Sequence, residues 1–154
     1  MTLSLVIADS SALMALENIG EIDILPKLYS RIIVTPEVAS EYGSILPPWI
    51  VIQPPPSNLM QCSDLAVLDP GEASSIALAL SSGPALLIID EKKGRRVAER
   101  LNINIIGTIG VLIRAKIAGL IEDPGSLLSR LESVDFRLDE RLRSKLIGST
   151  EKIS

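Results

Sequence analysis

The stretch ALLIIDEKKGRR, residues 85–96, constrains the fold most. Five apolar residues, Ala85 to Ile89, run without alternation. That length is far short of a membrane span and suits a strand buried on both faces. The run stops at Asp90–Glu91, and Lys92, Lys93, Arg95, Arg96 and Arg100 then open a basic helical pattern. Near the N-terminus LSLVIADSSAL, residues 3–13, repeats the layout: an apolar strand ends at Asp9 and a helix follows. Ligands of a parallel α/β sheet bind in the crevice outside the carboxyl ends of its strands. Two buried strands, each delivering an aspartate to that edge, predict an acidic pocket there.

Between these landmarks the chain alternates. Residues 3–8 read as the first strand, and Ser10 or Ser11 is placed to cap the helix carrying Leu13, Met14 and Leu16. Residues 21–30 read as a second helical stretch interrupted by Pro26, 31–35 as the next strand, and 35–42 as a helix with Thr35 as N-cap and Pro36 first. PPWIVIQPPPSN, residues 47–58, holds five of the ten prolines around WIVIQ, so it reads as a loop with an edge strand. DPGEASSIALALSSG, residues 69–83, is a helix with Asp69 as cap, Pro70 first and Glu72 third. Strands at 85–89 and 103–107 follow, with a basic helix at 91–101 between them, and Thr108 is placed to cap the helix reaching Gly119. Helical stretches near 125–132 and 139–147 complete a single domain of residues 1–148, ahead of a polar tail at 149–154. Strands alternating with helices predict an α/β fold, a doubly wound, mostly parallel sheet.

Composition then removes whole classes of chemistry. The chain has no histidine, which excludes Ser-His-Asp and Cys-His catalysis, imidazole bases and His-bound zinc. A metal site here must be built from oxygen, which selects hard cations such as Mg²⁺ or Mn²⁺. The net charge of −4 and four aromatic residues argue against generic nucleic-acid affinity, so such a role must rest on local patches. One cysteine excludes an internal disulfide and fits a reducing compartment. With no basic leader before the first strand, the expectation is a cytoplasmic protein without a membrane segment. The mean hydropathy of +0.36 is high for a small domain and leads to the expectation of a homodimer. Its interface would come from LALSSG and the IGVLIRAKIAGLI helix, which carry more apolar residues than one face needs.

Each candidate residue also has an ordinary reading. An aspartate after a strand commonly caps the next helix. Asp9 and Asp90 are singled out because both end apolar strands at one sheet edge, where a divalent cation relieves their repulsion. Glu72 completes a capping-box spacing with Asp69, and Glu37 and Glu41 lie one turn apart on a helix face, as solvated charges often do. The basic group from Lys92 to Arg100 also reads as a solvated face, although its place just after Asp90 suits contact with phosphate. Neither G-x-G-x-x-G after the first strand nor G-x-x-x-x-G-K-[ST] occurs, and the first strand ends DSS instead of the D-x-D of phosphoaspartyl hydrolases. Dinucleotide, P-loop and small-molecule phosphatase readings therefore lose support.

Five segments together carry a resemblance: VIADSSAL (6–13), VTPEVASEY (34–42), LDPGEASSIALAL (68–80), LLIIDEKKGRRVAERLNI (86–103) and IIGTIGVLIRAKIAGLI (105–121). In this order they resemble the PIN-domain family, of the kind found as ribonuclease toxins in VapBC-type toxin–antitoxin pairs. They are most similar to a branch sharing D-[DE]-x-x-x-R-R-x-A and G-T-x-G-x-L segments. The resemblance implies a three-layer α/β/α sandwich whose acidic residues hold Mg²⁺ or Mn²⁺ and cut RNA, leaving 5′-phosphate and 3′-hydroxyl ends. Carried over, the acidic set is Asp9, Glu41 in preference to Glu37, Glu72 and Asp90, with Ser10 and Thr108 as supporting hydroxyls. Glu72 stands where most of the family has aspartate. Lys93, Arg95 and Arg96 are the candidates for holding the RNA backbone. An antitoxin protein is the partner such a role implies. The competing expectation is a catalytically silent module of the same fold that binds a protein or RNA without cutting.

Overall fold

The computed structural model describes residues 5–134 and 140–153, the last six by backbone alone. Residues 3 and 4 of the expected first strand, the onset of the expected last helix at 139, and residue 154 lie outside the described residues. Five short strands, β1 (Leu5–Ala8), β2 (Ile32–Val34), β3 (Ile50–Ile52), β4 (Ala85–Ile88) and β5 (Asn104–Ile106), form one sheet in the order β3-β2-β1-β4-β5. All the pairings are parallel. The chain begins in the middle of the sheet, winds outward through β2 and β3, and returns past β1 to lay down β4 and β5. The switch point therefore falls between β1 and β4, which pair from Leu5↔Ala85 to Ala8↔Ile88.

Among the described residues eight α-helices accompany the sheet: α1 (Ser10–Asn18), α2 (Ile24–Tyr29), α3 (Pro36–Tyr42), α4 (Pro70–Ser81), α5 (Lys92–Arg100), α6 (Thr108–Ile117), α7 (Pro124–Ser133) and α8 (Glu140–Ile153). Side-chain alternation along the strands divides the core in two. Val6, Ala8 and Ile88 face Leu13, Leu16, Val38, Leu112, Leu127 and Leu131 on one side. Ile7, Leu87 and Ile89 face Ile76, Leu78, Val97 and Ala98 on the other. The result is the three-layer α/β/α sandwich. Every residue of α4 from Gly71 to Ala79 is buried, because α4 is wrapped by α3, α5, β1, β4 and a 3-10 turn at Leu59–Gln61.

Several local expectations change. α1 begins at Ser10 itself, with Asp9 in the N-cap position making no side-chain cap bond, so neither serine caps it. Thr108 is the first residue of α6 and Gly107 holds its N-cap position. Pro26 falls in the first turn of the six-residue α2, where the missing N–H costs nothing. β3 is the expected edge strand, bounded by prolines. α8 continues to Ile153 and takes in most of the segment expected as a tail. No described helix is long and apolar enough to cross a membrane.

One buried polar chain sets the crossing of α3 and α4. Thr35 Oγ1 accepts from the Val38 amide at 3.2 Å and lies 2.7 Å from Ser74 Oγ. Ser74 Oγ donates to the Gly71 carbonyl at 3.0 Å, so its single proton is used there and Thr35 is the donor to Ser74. Ser75 Oγ donates to the same carbonyl at 2.8 Å. Thr35, Ser74 and Ser75 are fully buried, and no member of the chain is left without a partner. Thr35→Val should cost about 1–3 kcal/mol, since it removes a helix cap and a buried hydrogen bond together. Thr35→Ser should cost less than half of that. Urea unfolding of both variants reads the difference, and equal losses would show that the methyl group matters as much as the hydroxyl.

Candidate active site

The carboxyl end of β1 delivers Asp9 into the sheet's switch point. Its amide donates to the Ile88 carbonyl at 3.0 Å, the last rung of the β1–β4 ladder. The side chain is 3% exposed. Ser11 Oγ donates to Asp9 Oδ2 at 3.2 Å, while Asp9 Oδ1 is buried with no hydrogen-bond partner among the described residues. Burial pushes the carboxyl up to about 6, the nearby charges of Asp69 and Glu41 push the same way, and the Ser10 backbone and Ser11 hydroxyl only partly oppose them.

Glu72, the third residue of α4, is the second buried acid of this cleft at 7% exposure. Desolvation, followed by the charges of Asp69 and Asp9, raises it to about 7. Its own amide is satisfied by Asp69 Oδ1 at 2.9 Å, so the capping interaction forms, and the Glu72 carboxyl nevertheless belongs to the acidic group. Glu41, near the end of α3, is exposed and accepts from Ser10 Oγ at 2.8 Å. Glu37 stands elsewhere on that helix, half-buried, with Oε1 unpartnered.

Asp90 is held differently. The Thr108 amide donates to Oδ1 at 2.8 Å and Thr108 Oγ1 donates to Oδ2 at 2.5 Å. This aspartate caps α6 and not the helix that follows it in sequence, whose cap is Glu91. Arg95, expected to face RNA, turns back and donates from Nη1 to the Ile89 carbonyl at 3.1 Å. The two groups crowd the N-cap of α6: a Cβ at Gly107 would lie 2.8 Å from Arg95 Nη1 and 2.9 Å from Asp90 Oδ1. Lys93 and Arg96 remain exposed on α5, with no ion pair among the described residues.

The arrangement therefore brings Asp9 into electrostatic contact with Glu41 and with Glu72, while Asp90, at the end of the neighbouring strand, is tied to α6. Asp69, read from the sequence as a cap alone, is the acid whose charge bears on both Asp9 and Glu72. The signal was present, since a cap at the sheet's carboxyl edge also contributes its charge to the cleft. Among the described residues no three acidic or thiol side chains already form a metal cage. The donors nonetheless fit a hard cation: all are oxygens, and the orphaned Asp9 Oδ1 and the pushed-up Glu72 carboxyl are both relieved by positive charge.

Both raised values give the pH dependence a sign. A carboxyl whose folded pKa exceeds its unfolded value favours the fold when protonated, so that stability is lost as pH rises through the folded pKa. For the metal-free protein the loss should run from about pH 4 to above pH 7, through Asp9 at about 6 and Glu72 at about 7. Thermal unfolding in EDTA should show Tm falling from pH 5 to pH 8. Asp9→Asn should flatten the lower part of that slope, and a flat profile in the parent would mean both carboxyls titrate normally.

No individual curated protein matches the sequence. A family model described as a PIN domain matches residues 5–152. With nearly the whole chain matched and the all-parallel α/β sandwich in place, this chain belongs to the PIN-domain family.

Proposed function

We propose that the protein is a divalent-metal-dependent ribonuclease, acting as an endonuclease on RNA. The observation that carries this reading is Asp9 Oδ1, a buried carboxylate oxygen without a partner at the switch point of the sheet, surrounded by further acids. PIN domains are generally nucleases that use divalent ions, and these oxygen donors suit Mg²⁺ or Mn²⁺. Asp9, Glu41, Glu72 and Asp90 are the residues that would hold the ion. When bound it supplies activation of a water and charge stabilisation for in-line displacement at phosphorus.

The chain's own residues supply the rest. Asp9 and Glu72 must give up protons to receive a cation, which makes loading pH-dependent. In the absence of histidine, proton transfer falls to the carboxylates. Ser10 orients Glu41, and Thr108 fixes both oxygens of Asp90. Lys93 and Arg96, on the exposed side of α5, are placed to meet a phosphate backbone entering over that edge. Arg95, occupied by the Ile89 carbonyl, is the weakest of the three RNA-contact candidates. A toxin role, with an antitoxin protein as partner, is part of the proposal and rests on the family resemblance.

Two observations favour the silent module instead: both oxygens of Asp90 already accept from Thr108, and among the described residues no three acidic side chains stand ready to hold one ion. Labelled single-stranded RNA with the purified protein decides between them. Cleavage should require Mn²⁺ or Mg²⁺, stop in EDTA, and fall about 100-fold or more in Asp9→Asn, as expected when a contribution of several kcal/mol is lost. Circular dichroism should show that variant folded. RNA bound without cleavage, and released by Lys93→Glu with Arg96→Glu, would establish the silent module.

A further inference from the structure

We infer that Gly71 is a positioning residue for Glu41, a glycine kept to leave the seat that the Glu41 carboxylate occupies on the first turn of α4. A Cβ built on Gly71 would overlap Glu41 Oε1 and stand 2.9 Å from Cδ and 3.0 Å from Oε2. All three atoms of the carboxylate therefore rest against this one Cα. Backbone conformation does not require glycine here. Gly71 is the second residue of a twelve-residue helix and is not among the glycines with positive φ. Alanine is the better helix former at such a position, so glycine lowers local stability and the space it leaves is what it contributes.

The seat is rigid on both sides. The Gly71 carbonyl takes hydrogen bonds from Ser74 and Ser75, and Ser74 in turn is bonded by Thr35 at the start of α3, the helix that carries Glu41. The oxygen nearest Gly71, Oε1, is the one fixed by Ser10, the residue after Asp9. Glu41 is thus held between the first turns of α1 and α4, where a negative charge is favourable. All that an added Cβ would meet is the end of this one flexible side chain, so a methyl group would displace Glu41 and leave the helix intact.

The inference rests on the assignment of Glu41 to the proposed metal site, and the test separates the two. Gly71→Ala should have a Tm in EDTA no lower than the parent's, while its Mn²⁺ affinity, measured by calorimetry, falls about 10–100-fold, the loss typical when support for a ligand is removed. In the Glu41→Gln background Gly71→Ala should add no further loss, because both changes act on one carboxylate. A crystal structure of metal-free Gly71→Ala should show Glu41 away from Ser10. Parent-like Mn²⁺ affinity in Gly71→Ala, where Glu41→Gln loses it, would overturn the seat and leave the nuclease reading standing. If the parent itself binds no Mn²⁺, the nuclease reading falls and the crystal structure alone decides: Glu41 still bonded to Ser10 overturns the seat, and its displacement upholds it. Should Gly71→Ala fail to fold, Gly71→Ala with Glu41→Ala settles it, since recovered folding assigns the clash to Glu41 and continued failure overturns the inference.

Discussion

The parallel pairing of β1 with β4 is the constraint from which the cleft follows. Each strand is flanked on its other side, β1 by β2 and β4 by β5, and both are covered by helices on both faces. Such strands can carry only apolar side chains along their length, and a polar group has its first opportunity where they end. Because the strands run the same way and in register from Leu5↔Ala85 to Ala8↔Ile88, both ends fall at one edge. The Asp9 amide closes the ladder on Ile88, so the depth of its carboxylate is set by a backbone hydrogen bond and not by a side-chain preference. A slip of this register would move the acid and bury a different residue in its place.

Parallel strands also send the helices that follow them outward from that same edge. The first turns of α1, α4, α5 and α6 gather there, each with amides lacking intrahelical partners. Acidic residues meet most of them: Asp69 caps α4, Glu91 caps α5 and Asp90 caps α6. Asp9 occupies the same position at α1 and caps nothing. A cap and a buried, unpartnered carboxylate are opposite economies of the same residue type. The first stabilises a helix, and the second is retained against its desolvation cost. That contrast sets Asp9 apart from the neighbouring capping acids, and Glu72 shares its burial.

Much of this was legible in the chain. The apolar runs at 85–89 and 3–8 located the central strands, and the caps Thr35 and Asp69, each followed by proline, located the starts of α3 and α4 to the residue. The failures share one cause. Sequence spacing reports neighbours along a helix, whereas the site is assembled across helices. Thr108 was expected to cap α6 by its own side chain, yet its hydroxyl serves Asp90, eighteen positions earlier. Arg95 looked like its neighbour Arg96, but only the structure shows that its guanidinium reaches back over six residues to Ile89. Gly71, Gly94 and Gly107 carried no signal of their own, because a glycine with ordinary dihedrals is explained only by what stands opposite it. At Gly94 that is Ile89, whose Cδ1 would lie 2.6 Å from an added Cβ, with the Glu72 carboxyl carbon behind it at 3.7 Å.

The apolar excess that led to the homodimer expectation has a partly internal destination. α4 is enclosed nearly all round, and of the LALSSG stretch Leu78 and Ala79 are buried within the domain while Leu80 packs partly against its core. Among the described residues what stays outside is dispersed: Ile117 at 76% exposed on α6, Ile45 and Val67 in loops, Val51 and Ile52 on the edge strand β3, and Val134 just after α7. Single exposed aliphatic residues are ordinary on monomer surfaces and define no patch by themselves. β3 offers an unpaired strand edge of only three residues, hemmed by prolines at 47, 48 and 54–56, which discourages further strand addition. A homodimer stands as a proposal, and on the α6 part of its expected interface Ile117 is exposed, near Arg114 and Lys116. An interface built there would lie on the face of the sheet opposite α4 and α5, and would leave the basic side of α5 open to a substrate.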